Sequence, residues 1–173
     1  MPVGEATHKE VWDMIRKYHA ELTDIRRDIH AHGTAELIAQ MLQGWGIEVH
    51  RAVGGTGIVR VLRSGNDHQA VGLRADMDAL PIDEANAVPY RSRNAGRMHA
   101  CGHDGHATML LATARYLAET REFNRVVNFI FQLGEEGMGG AISCGCSTAY
   151  GSQLARTHDH TVRAPTRHAL PWT

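Results

Sequence analysis

The run RVVNFIFQL, residues 125–133, constrains this chain more than any other stretch. Its β-branched and aromatic residues follow one another with little polar alternation, the pattern of a buried central strand. Such a strand needs paired neighbours and cover, so the surrounding fold must layer helices on a sheet. Three further stretches have strand character: IEVHRAV, then TGIVRVL after the Gly54-Gly55 turn, then QAVGLRADM. Between and before them the apolar period lengthens to that of helices. Val11, Met14, Ile15, Tyr18, Leu22, Ile25 and Ile29 predict one amphipathic helix with Lys and Arg on its outer side. TAELIAQMLQGWG predicts a second, with Thr34 as N-cap and Gly46 near its end. HATMLLATARYLAET predicts a third, with Asp104 as cap and Leu110, Leu111, Ala114 and Leu117 as its buried stripe. Residues 81–98 show no sustained period and read as loop. Helices interleave with strands, so the expected class is α/β, a helix-covered mixed sheet.

A length of 173 residues suits one domain, and 43% hydrophobic with 21% charged residues is ordinary for a globular chain. A net charge of −1 gives no electrostatic footprint for nucleic acid or a membrane surface. Arg91 and Arg93 read as solvated loop residues. No apolar run approaches the roughly 20 residues a bilayer span needs. Charges interrupt the first residues where a signal peptide would be apolar, so the expected location is the cytoplasm. Cys101, Cys144 and Cys146 are too few for a disulfide scaffold.

Three clusters lie at strand ends, where open α/β sheets place ligand sites. The first is Asp76 and Asp78 within RADMDALP. Two acids at i and i+2 of a strand face one side, although a polar turn ending the strand is the plain alternative. The second is HACGHDGH, which holds His99, Cys101, His103 and His106. Thiolate and imidazole are the donors that zinc and similar divalent ions prefer, and Gly102 and Gly105 let the backbone turn them towards a common ion. A structural knot would need four closed ligands, for which only Cys144 and Cys146 stand ready. The third is Gly134-Glu135-Glu136-Gly137, where adjacent acids suit two jobs. One can bind a metal while the other takes a proton from water whose pKa the metal lowers from roughly 15.7 to about 7. Alone, the pair would read as a solvated acidic turn.

In combination, GLRADMDALPIDE, MHACGHDGHATMLLATARYLAE and FIFQLGEEGMGGA resemble the hippurate hydrolase, aminoacylase and indole-acetyl-amino-acid hydrolase group of dinuclear metallopeptidases. LTDIRRDIHAH and GWGIEVHRAVGGTGIVRVL fit the same group, so the resemblance runs over about residues 11–141. It implies a zinc-peptidase-like catalytic domain and hydrolysis of the amide bond of N-acyl amino acids or similar small conjugates. Two divalent ions per site are implied, zinc, manganese, cobalt or nickel. Position by position, Cys101 resembles the bridging thiolate and His103 a terminal ligand. Glu136 resembles a further ligand and Glu135 the general base acting with metal-bound hydroxide, while Asp78 resembles a supporting carboxylate behind the ligands.

The sequence departs from that group in two places. The family's Pro-Glu-Leu-Gly-type acidic loop after the His-Ala-His stretch is missing, and His32 runs through Gly33 straight into Thr34. After Ala141 the later metal-binding histidines and the inserted lid domain, which often mediates dimer contact, are not recognisable. The expected organisation is therefore residues 1–141 as the N-terminal part of the catalytic domain and 142–173 as an irregular tail. A one-base shift in a back-translation of Val162–Ala169 yields Tyr-Gly-Leu-Gln-His-Gly-Met-Pro, similar to the lost family segment. This points to a frameshifted tail, an idea that sinks if neither alternative frame of the gene encodes a family-like peptide. Activity impaired by truncation, and oligomerisation through uncovered sheet surface, are further expectations. The alternatives are an inactive fragment that only binds metal and a structural zinc module using Cys101, His103, Cys144 and Cys146; His158, His160 and His168 have no predicted scaffold.

Overall fold

The structure, a computed structural model, describes residues 7–53 and 57–132. In chain order the elements are α1 (His8–Lys17), α2 (His19–His32), α3 (Ala35–Gly44), β1 (Glu48–Val53), β2 (Gly57–Ser64), β3 (Ala70–Asp76), α4 (His103–Thr120) and β4 (Arg125–Gln132). The four strands form one mixed sheet in the order β1-β2-β4-β3. β1 and β2 are antiparallel, β2 and β4 are antiparallel, and β3 runs parallel to β4 through the α4 crossover. The fold is thus the mixed α/β layering that the sequence pattern required.

The RVVNFIFQ stretch sits between two strands and is buried along nearly its whole length. Val127, Phe129 and Phe131 face the helices, opposite Leu62, Arg60 and Ile58 on β2 and Val71, Leu73 and Ala75 on β3. Against them pack Ile25 and Ile29 of α2, Ile38 and Leu42 of α3, and Ala107, Leu111 and Ala114 of α4. Each fully buried side chain of this size contributes about 1.5–3 kcal/mol. The other face is polar where β3 meets β4. There Arg74 donates from Nε to Gln132 Oε1 at 2.6 Å and from Nη2 to Asp76 Oδ1 at 2.6 Å.

The predicted single helix over Val11–Ile29 is two helices. α1 opens on a capping box in which Thr7 and Glu10 satisfy each other's backbone N–H groups. At Tyr18 the backbone N–H turns to Ile15 and Arg16, and this turn residue separates the two helices. The reason is the Tyr18 ring, only 8% exposed. Its hydroxyl bonds Glu119 near the far end of α4, and the Arg115 guanidinium lies 3.9 Å from its centroid. The third predicted helix begins earlier than expected, because Gly102 rather than Asp104 occupies the N-cap position. Gly102 takes φ +87°, which a side chain would oppose. Thr34 does precede α3, but its hydroxyl makes no cap bond and lies 3.2 Å from His99 Nε2.

Candidate metal centre

β3 delivers the first acidic cluster to the sheet's end. Met77 still donates its N–H to the Gln132 carbonyl at 2.9 Å, and the chain then leaves the strand. Leu80 and Met98 form an isolated antiparallel bridge, with N···O distances of 2.9 and 3.1 Å, that closes the intervening loop into a strap. That closure returns residues 99–103 to the end of β3. The left-handed turn at Gly102 then starts α4 with His103 facing Asp78.

His103 is 3% exposed. Its Nδ1 lies 2.8 Å from Asp78 Oδ1 and 3.1 Å from the Asp78 carbonyl oxygen. Both are acceptors, so Nδ1 carries the proton and donates, which leaves the Nε2 lone pair for a metal. Two nearby residues share this end of α4: Cys101 is exposed, and the exposed His106 ring lies 5.7 Å from that of His103. The other predicted members separate from this pair. Asp76, expected to share a face with Asp78, is the last strand residue and is held by Arg74. Asp78 lies beyond the strand, so alternation no longer relates the two. His99 is buried against Thr34, and burial lowers its pKa and favours the neutral ring, an effect the Asp104 charge opposes.

Glu135, Glu136, Cys144, Cys146, His158, His160 and His168 lie outside the described residues. Among the described residues no group of three or more His, Cys, Asp and Glu side chains converges on one point. A thiol beside an imidazole with a fixed tautomer nevertheless matches the donor chemistry of borderline divalent ions.

Sequence reasoning missed a buried network beside this centre. His30 of α2, 7% exposed, points Nδ1 at Asp104 Oδ2 at 3.0 Å and Nε2 at Glu84 Oε2 at 3.2 Å. Arg26, one helical turn earlier, donates from Nε to the same Asp104 oxygen at 3.1 Å. The Ser92 N–H, donating to Glu84 at 2.7 Å, is the main cause of a lowered Glu84 pKa; burial opposes it, and Asn86 and His30 add to it. The available signal was Arg26 and His30 at i and i+4, a polar stripe adjoining the apolar Ile25–Ile29 face. Next to His30 and Asp78 lies a cavity of about 330 Å³, lined also by Gly33, Ala35, Arg97 and His99.

The model for "Peptidase family M20/M25/M40" matches residues 72–155, which include the Asp78 turn and the Cys101–His103 segment. The chain is also 49% identical over 129 residues to hippurate hydrolase of Campylobacter jejuni, covering 70% of this chain and 33% of that protein. This chain belongs to the M20 peptidase family. A second relative, the N-acyl-L-amino acid amidohydrolase of Geobacillus stearothermophilus, is 37% identical over 140 residues, covering 75% of this chain and 38% of that one. Among solved structures, Bacillus subtilis YXEP, described as a dinuclear metal binding peptidase of the M20 family, superposes with a TM-score of 0.69 at 35% identity. That match covers 76% of this chain and 40% of YXEP. The chain spans about a third of the length of the curated relatives it matches, 33% and 38% for the two named. No helix among the described residues is long and apolar enough to cross a membrane.

Proposed function

We propose that this chain carries the N-terminal part of a metal-dependent amidohydrolase site that cleaves the amide bond of N-acyl amino acids or similar small conjugates. The single observation that carries this reading is the Asp78–His103 pair at 2.8 Å, which fixes the imidazole tautomer that presents Nε2 as a ligand. Cys101 and His103 would hold metal from the start of α4, and Glu136 would add a carboxylate. A bound divalent ion supplies Lewis acidity, polarising the scissile carbonyl and acidifying water.

The chain's own residues do the rest. Asp78 accepts the His103 Nδ1 proton and so holds the ring in one orientation. Glu135 acts as general base, taking a proton from the attacking water and passing it to the leaving amine. Carboxylates of unequal role at adjacent positions fit that division, with Glu136 committed to metal and Glu135 left to move the proton. Small N-acyl amino acids are the substrate class because the hippurate hydrolase and amidohydrolase relatives are named for them.

The test is metal content of the purified chain, followed by hydrolysis of a panel of N-acyl amino acids. The expected result is bound divalent metal in the unmutated chain and in Glu135→Gln, with turnover only in the former. Metal without turnover in the unmutated chain would reduce the reading to metal binding, and no metal would refute it. Loss of both metal and fold in Cys144→Ser and Cys146→Ser would instead support a structural zinc module.

A further inference from the structure

We propose that His30 is a positioning residue that sets where His103 stands, by joining the strap of residues 81–98 to the first turn of α4. The inference rests on the metal-site reading for its consequence, but the linkage itself is independent of any metal.

His30 faces a carboxylate at each ring nitrogen, Asp104 at 3.0 Å and Glu84 at 3.2 Å. Both acids are about 1% exposed at the side chain, so neither can turn to water when its partner moves. The three groups come from three separate segments: the end of α2, the strap and the start of α4. Asp104 adjoins His103, and its carboxylate is fully committed. Oδ2 accepts from Arg26 and lies 3.0 Å from His30 Nδ1, and Oδ1 accepts from the Gly105 N–H at 2.8 Å. The first turn of α4 is thereby pinned in rotation and in height.

Glu84 pins the other side. Beside its contact with His30 it accepts from the Ser92 N–H at 2.7 Å and from Asn86 at 3.3 Å, which gathers the strap around one carboxylate. Two more contacts fasten the strap to α2: the Arg93 N–H donates to the Ala31 carbonyl at 2.8 Å, and Arg27 stacks on Tyr90 with 5.3 Å to its centroid. The strap begins and ends at the Leu80–Met98 bridge, which borders Asp78 on one side and His99 on the other. A shift of the strap therefore moves the Asp78 acceptors, and a shift of α4 moves His103. His30 touches both bodies, so it holds donor and acceptor in register.

The experiment compares His30→Gln, Glu84→Gln, the double variant of the two with Asp104 intact, and Tyr18→Phe as a stability control at the opposite end of α4. The first readout is the His103 Nδ1–H resonance in ¹H–¹⁵N spectra of the metal-free chain. The second is Co²⁺ affinity from absorption titration. A glutamine at position 30 carries its donors on one nitrogen, so it cannot set a ring nitrogen against each of the two carboxylates as His30 does. The expected result is a shifted or broadened His103 resonance in His30→Gln and a roughly 10–100-fold loss of Co²⁺ affinity, the range for an outer partner of a metal ligand. Glu84→Gln should show a smaller change in the same direction, and the double variant should lose less than the sum. Tyr18→Phe should melt earlier with both readouts unchanged. Equal readouts in His30→Gln, Glu84→Gln and Tyr18→Phe would overturn the proposal and leave the network a brace. Should His30→Gln fail to fold, Glu84→Gln decides by the same criteria. If the unmutated chain takes up no Co²⁺, the metal reading fails and the His103 resonance alone decides the positioning.

Discussion

Replacing Asp78 by Ala removes the side-chain acceptor that orients His103, and the structure sets the size of the effect. The bond is short at 2.8 Å, and the two side chains are only 14% and 4% exposed, so water screens it little. Hydrogen bonds to a charged partner contribute about 1.5–3 kcal/mol. The low end applies here, because the Asp78 carbonyl at 3.1 Å survives the substitution and keeps Nδ1 from being orphaned. Urea unfolding should therefore show a loss of about 1.5 kcal/mol. The effect on metal should be larger, since the ring loses its fixed orientation: Co²⁺ affinity should fall about 10–100-fold, worth about 1.4–2.7 kcal/mol. Asp78→Asn keeps an acceptor oxygen but not the charge, so it should recover a large part of both losses. An Asp78→Ala chain with unchanged unfolding free energy and unchanged Co²⁺ affinity would refute the argument.

Two further outcomes follow from the packing and the buried charges. Phe129 is fully buried at the middle of the central strand, so Phe129→Ala should cost about 3–5 kcal/mol by denaturant unfolding; against a typical total of about 5–15 kcal/mol, that is from about a fifth to all of the stability. Glu84 has a lowered pKa when folded, so its contribution is fully present above the ordinary glutamate value of about 4.3 and is lost as pH falls through the lower folded value. Glu84→Gln should flatten the fall of unfolding free energy with acid in that window, and a slope equal to that of the unmutated chain would contradict the assignment.

The architecture was legible where residue type alone decides it. RVVNFIFQL has the pattern of a covered strand, and two of the three other strand-like runs supplied its partners. The break at Tyr18 was not legible, because the residue keeps right-handed helical φ and ψ near the turn and the apolar spacing continues across it. What redirects the chain is a contact with Arg115 and Glu119, far away in sequence. Asp104 was misread as a cap for a similar reason. It is polar and precedes an apolar stripe, but the positive φ of Gly102 starts the helix first and turns the aspartate inward. At the candidate site, spacing alone drew attention to HACGHDGH, whereas its pairing with Asp78 rests on the Leu80–Met98 bridge, which no periodicity encodes. The His30 network left only the Arg26–His30 spacing as a signal, because each member looks like a surface residue in its own segment.

The order β1-β2-β4-β3 also has a consequence in time. The central strand is the last described element to be synthesised, and it must pair with Ser64 through Arg125 and with Ile58 through Phe131. Ribosomes add about 5–20 residues per second, so β2 and β3 wait seconds for the strand that joins them. Until then the apolar edges of both are open to any other nascent chain, and how fast residues 125–132 arrive governs the balance between folding and aggregation.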